Sequence, residues 1–164
     1  MTGAYIGIGS NLGEPERQCL DAVDRMGCRP ETRVEAVSPW YRSRPVGVES
    51  QDWYVNGAAL LDTGLSAREL MRGLLAIEAA MGRVRKKRWE ARIIDLDLLL
   101  YGEEMIREPD LTVPHPLMHL RRFVLAPLTD LAPDLVHPAL GVTLAALLAG
   151  IDTEGQEIRP MEDH

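Results

Sequence analysis

The sequence predicts an α+β domain, a mostly antiparallel sheet with helices packed on one or both faces. Runs at 4–9, 32–41, 54–62 and 93–101 have the composition of strands. Stretches with apolar residues at helical spacing lie between and after them. A length of 164 residues, 46% hydrophobic and 26% charged, is that of one ordinary globular domain with a real core. The domain is expected over residues 1–150. The tail at 151–164 is polar, acidic and without period, and is expected to be partly disordered.

The first strand, 4–9, is followed by Ser10-Asn11-Leu12-Gly13 and by a helix that Pro15 opens and Gly27 closes. Its glycines suggest a dinucleotide fingerprint, but G-I-G-S-N-L lacks the third glycine. No acidic residue marks the end of a second parallel strand. A tight strand-to-helix turn is the reading adopted. The strands at 32–41 and 54–62 are joined by SRPVGVESQDW, long and Gly/Pro-bearing enough to be a lid. Ser66 and Glu69 form a capping box with Leu65 stapled to Leu70, and the helix continues through Leu74, Ile77 and Met81. Glu78, on the flank of that apolar face, reads by generic odds as an exposed acid. After the strand at 93–101 come a Gly102-Glu103-Glu104 turn and a short strand near Met105 and Ile106. Thr112 to Pro116 cannot be helical, because two prolines remove donors and restrict their predecessors. Helices are expected at 117–128 and 143–148. His115 and His119 are four apart, yet Pro116 disfavours the shared helical face that a metal pair would need.

The stretch RVRKKRWEARIIDLDLLLY, 83–101, carries the chemistry. On a strand Asp95 and Asp97 share a face, about 7 Å apart. Two charges at that distance repel by roughly 2.4 kcal/mol at an effective dielectric of about 20. A counter-charge is needed. It can come from the arginines and lysines just upstream or from Mg2+, which takes one or two protein carboxylates and completes its shell with water and phosphate oxygens. Guanidinium forks match phosphate bidentately, so a nucleotide triphosphate would use both halves. An isolated D-x-D is usually a solvent-facing pair and a basic run usually a solvated loop; their adjacency favours the functional reading.

Three segments, RWEARIIDLDLL at 88–99, TVPHPLMHLRRFVLAPL at 112–128 and AYIGIGSNLG at 4–13, resemble the 6-hydroxymethyl-7,8-dihydropterin pyrophosphokinases of folate biosynthesis. The resemblance runs to about residue 150, with Glu90 standing where the family's pattern has Gly or Ala. It implies a ferredoxin-like core. It also implies transfer of the terminal diphosphate of ATP, the co-substrate, to the hydroxymethyl oxygen of the pterin, with release of AMP. On the matching positions, Asp95 and Asp97 would hold two Mg2+ ions, and Arg83 and Arg92 are the candidate transition-state clamps. Glu78, Arg85, Trp89, Thr112, His115 and Arg121 match nucleotide contacts. Tyr54 and Phe123 match the rings that sandwich the pterin, Asn56 the amide that reads its edge, and Ser43 and Val46 further pterin contacts. Loops 43–53 and 83–92 would close over ATP.

The partners expected are therefore small molecules. A formal charge of −7 argues against nucleic acid, and no K/R-G-F-x-F-like strand supports an RNA-recognition module. P-loop and protein-kinase signatures are absent, which leaves another Mg-dependent phosphoryl or nucleotidyl transferase as the remaining rival. No basic-apolar leader and no run of about 18 apolar residues is present, so a cytoplasmic protein away from the membrane is expected. Cys19 and Cys28 lack C-x-x-C spacing and sit about 13 Å apart on the first helix, so reduced thiols are expected. Oligomeric state is open, with a monomer favoured.

Overall fold

A computed structural model describes residues 1–43, 53–82 and 93–161. Strand β1 (Thr2–Ser10) runs through the middle of the main sheet, between β4 (Tyr54–Thr63) and β5 (Asp95–Tyr101). Helix α1 (Pro15–Gly27) leads from β1 to β2 (Thr32–Val37), and α2 (Ala67–Ala80) leads from β4 to β5. Every pairing in the sheet is antiparallel, in the order β5-β1-β4 with β2 on the far edge of β4. Two β-α-β units interleaved in this way make a ferredoxin-like α+β core.

The strand expected at 32–41 is divided. Pro39 has no N–H for a ladder, so β2 ends at Val37 and β3 (Tyr41–Ser43) resumes on the same edge of β4, opposite Tyr54 to Asn56. Ser38 bridges the gap: its N–H donates to the Ala58 carbonyl and its Oγ accepts from the Ala58 N–H, both at 2.8 Å. Past β5, a hairpin of β6 (Ile106–Glu108) and β7 (Leu111–Val113) stands apart from the main sheet.

Helices cover both faces. On one side Ala4, Ile6, Ile8, Leu96 and Leu98 pack against Cys19, Ala22 and Met26 of α1 and Leu70, Leu74 and Ile77 of α2. On the other, Ala58, Leu99 and Leu100 meet α3 (Arg122–Leu131) and α4 (Leu144–Ala149) through Leu125, Leu128 and Leu144. The capping box forms as expected. The Ser66 Oγ accepts from the Glu69 N–H at 3.1 Å, and Glu69 returns the bond to the Ser66 N–H at 3.0 Å.

The single helix expected at 117–128 is instead a 3-10 turn, Met118–Leu120, followed by α3. Arg121 separates them in an extended conformation, φ −113° and ψ 109°. Residues 151–161 also depart from their composition, since Ile158–Pro160 form β8 against β3. Among the described residues no helix is long and apolar enough to cross a membrane.

The turn after α3 is organised by His137, which is 3% exposed. Its Nδ1 accepts from the N–H groups of Ala139 and Leu140, both at 3.1 Å, so its ring proton sits on Nε2. Burial, and then the neighbouring His119, hold its pKa below the usual histidine value of 6.5. Protons therefore bind the unfolded chain more readily than the folded one in this range. The stability that neutral His137 supports is present above pH 6.5 and lost as pH falls through its lower folded-state value. Urea unfolding between pH 7.5 and 5 should reveal this loss, and His137→Phe should flatten it.

Candidate active site

The carboxylate pair is built by β5. Asp95 and Asp97 lie on one face, both half-buried, while Leu96 and Leu98 enter the core beneath α2. The expected alternation stops there. Register shifts by one residue, Tyr5 pairing with Leu100 but Ile6 with Leu98, which leaves Leu99 as a bulge. Leu100 therefore joins the α3 side instead of continuing the row of Leu96 and Leu98. The Leu99 carbonyl accepts from the His115 N–H at 2.9 Å, which draws the Val-Pro-His segment up beside the carboxylates.

A cavity of about 560 Å³ opens over this face. Asp95 and Asp97 line it together with Ser43, Tyr54, Asn56, Arg121 and Phe123, residues from four segments of the chain. Its floor is β1. Gly9 pairs with Asp95 on one side and Asn56 on the other, and Gly7 pairs with Asp97 and Ala58. Both glycines line the cavity. They are strand residues, as the reading of 4–9 as the first strand expects. A Cβ on Gly9 would lie 2.9 Å from Asn56 Nδ2, so only glycine leaves that amide its place.

Asn56 is itself fixed. It is 6% exposed, and the Ser43 hydroxyl donates to its Oδ1. The amide N–H2 donors and the remaining acceptor capacity of Oδ1 can then face a planar heterocycle edge. Arg121 lies over the Phe123 ring, 5.8 Å from its centroid. The His115 Nδ1 accepts from the Leu117 N–H at 3.2 Å, so in the neutral ring the proton is on Nε2. Burial first, and the Arg121 charge second, lower its pKa, against the opposing pull of Asp95. A neutral donor near the Arg121 guanidinium and the Asp95 carboxylate can serve an anionic ligand without adding a full charge.

Asp95 and Asp97 are hard oxygen donors, side by side on one strand face and open to a cavity large enough for substrate phosphates. This donor set fits magnesium.

Glu78 is not the exposed acid that its position suggests. It is 2% exposed, and its Oε2 accepts from the Leu96 N–H at 2.9 Å. The helix thereby holds β5 at the residue between the two aspartates. Glu78→Ala should leave the buried Leu96 N–H without this acceptor and cost about 1–3 kcal/mol of unfolding free energy. Urea denaturation measures the loss, and Glu78→Gln, which keeps an acceptor, should recover most of it.

Thr112 is exposed on β7 and does not line the cavity. Val46, Arg83, Arg85, Trp89 and Arg92, with Glu90 and the bodies of both expected closing loops, lie outside the described residues. Sequence reasoning missed the glycine floor, and it missed Glu154, Gly155 and Gln156, which wall the cavity from the tail. The glycines were visible as a G-x-G pair inside a strand. Nothing in the tail marks its three residues.

Comparisons with known proteins agree on one kind of relative. A family model described as 7,8-dihydro-6-hydroxymethylpterin-pyrophosphokinase (HPPK) matches residues 5–133. A Pseudomonas aeruginosa protein named 2-amino-4-hydroxy-6-hydroxymethyldihydropteridine pyrophosphokinase is 50% identical over 95% of this chain and 96% of its own. A protein of the same name from Methylorubrum extorquens is 43% identical over 96% of this chain and 98% of its own. Among solved structures, Plasmodium falciparum HPPK-DHPS with pteroate is similar in fold, with a TM-score of 0.72 at 13% identity. That match covers 90% of this chain and 42% of the longer protein.

Proposed function

The chain belongs to the 7,8-dihydro-6-hydroxymethylpterin-pyrophosphokinase family, and from that premise we propose how its residues divide the work. The enzyme transfers diphosphate from ATP to the hydroxymethyl group of 6-hydroxymethyl-7,8-dihydropterin, releasing AMP, in folate biosynthesis. One observation carries the assignment of roles: a single cavity joins the carboxylate pair Asp95 and Asp97 to the ring pair Tyr54 and Phe123 across a floor of glycines.

At the acceptor end, Tyr54 and Phe123 take the flat pterin between them, where offset stacking contributes roughly 0.5–1.5 kcal/mol beyond area burial. Asn56, oriented by Ser43, reads the hydrogen-bonding edge. The hydroxymethyl group is thereby directed along the β1 floor towards β5. At the other end Asp95 and Asp97 would hold two Mg2+ ions, which would supply charge neutralisation at the phosphate oxygens. Arg121 and the Nε2–H of His115 bind nucleotide oxygens together with Thr112, Arg85 and Trp89, and Val46 joins Ser43 among the pterin contacts. Arg83 and Arg92 clamp the charge that develops as the β-phosphorus is attacked. Such a transfer asks for positioning and charge neutralisation more than covalent help. Glu78 acts through β5 by holding Leu96.

Incubating the purified protein with ATP, Mg2+ and the pterin, with chromatography of the products, tests this reading. AMP and pterin diphosphate should form in equal amounts, and only when pterin and metal are both present. ADP in place of AMP would overturn the reaction assigned.

A further inference from the structure

Gln156 belongs to a segment whose composition suggests little structure, yet it is one of the most completely bonded side chains near the cavity. Its Oε1 accepts from the Arg122 N–H at 2.8 Å. Its Nε2 donates to the Leu120 carbonyl at 3.1 Å and the Asp152 carbonyl at 2.8 Å. The main-chain carbonyl of the same residue accepts from Arg122 Nη1 at 3.2 Å. These bonds meet at the break between the 3-10 turn and α3. There Arg121 occupies the cap position with no side-chain cap bond of its own, so a residue far along the chain supplies the cap that the helix lacks locally. The clamped N–H belongs to Arg122, and the residues flanking it, Arg121 and Phe123, both line the cavity. The segment is anchored a second time, because Ile158 of β8 pairs with Ser43 of β3, the residue that orients Asn56.

We propose that Gln156 is a positioning residue for substrate binding. By capping α3 it fixes the Phe123 ring and the Arg121 guanidinium, and the segment around it forms a wall of the acceptor pocket. The proposal rests on the assignment of Tyr54, Asn56 and Phe123 to the pterin. Gln156 itself is placed through main-chain bonds and does not have to touch the reacting atoms.

Gln156→Ala removes the cap but keeps β8 and the bond from Arg122 to the residue 156 carbonyl. The KM for the pterin should rise about tenfold and the ATP KM by less, with kcat close to wild type, since displacements near 1 Å cost up to about 100-fold and lost uniform binding shows in KM. Gln156→Glu has the same shape and retains an acceptor for Arg122, but it sets carboxylate oxygen against two carbonyls. It should behave in the same way, and it stands in if the alanine variant fails to fold. Thr143→Ala, which removes the hydroxyl capping α4, supplies a comparable loss of thermal stability away from the cavity and should keep wild-type KM values. Pterin Kd is measured alongside by pterin fluorescence, in the presence of a non-hydrolysable ATP analogue.

A folded Gln156 variant with wild-type pterin KM and Kd overturns the proposal. So does an equal rise in KM in Thr143→Ala, which would make the effect one of general loosening. A wild-type protein that binds the pterin but forms no AMP overturns the reaction instead and leaves the comparison of Kd values to decide Gln156. A wild-type protein that does not bind the pterin overturns both.

Discussion

Asp97→Ala retains its fold and loses at least about 100-fold in kcat, the size expected when an electrostatic element of the transition state is removed. The fold survives because β5 is held from elsewhere: Leu96 and Leu98 are buried against α2, Leu99 and Leu100 against α3, and Glu78 fixes the Leu96 N–H. Single-turnover rates measured with saturating ATP and pterin separate chemistry from binding, and thermal unfolding checks the fold. Near-normal turnover would remove Asp97 from the metal site. Asp97→Asn is the sharper comparison, since it keeps the shape and removes the charge. It should be nearly as slow.

Gly9→Ala raises the KM for the pterin by about 10- to 100-fold and leaves that for ATP unchanged, the cost of a displacement near 1 Å at a binding group. The added methyl would stand 2.9 Å from Asn56 Nδ2, closer than folded chains tolerate. Asn56 cannot turn aside freely, because Ser43 holds its Oδ1 and its backbone is in register with Gly9 and Tyr41. Steady-state titration of each substrate in turn reads the split. A variant with unchanged pterin KM would show that Asn56 does not read the pterin edge.

The parts of this molecule that could be read from residues follow local rules. Strand alternation puts Asp95 and Asp97 on one face, Pro15 opens α1, and Ser66 with Glu69 starts α2; each depends on neighbours a few residues away. What was hidden depends on partners distant in the chain. The bulge at Leu99 is a property of the β1–β5 pairing, and its effect is to send Leu100 to the other face and free a carbonyl for His115. Glu78 has the sequence surroundings of a surface acid and is buried because an unpaired strand N–H lies above it. Gly9 reads as an ordinary strand residue until Asn56 is known to sit across from it. Gln156 is the extreme case, since a glutamine in an aperiodic tail carries no signal of the helix start that it caps.

A floor made of glycine can be raised by mutation but not lowered, since there is no side chain left to remove. Variation along Gly7 and Gly9 can only subtract room from the acceptor end. A competitive compound shaped to rest on that floor as the natural acceptor does would leave the enzyme little scope for escape at these two positions. Any residue that displaced the compound would crowd the acceptor as well. Resistance would have to arise where the compound extends beyond the footprint of the pterin, over the wall around Gln156.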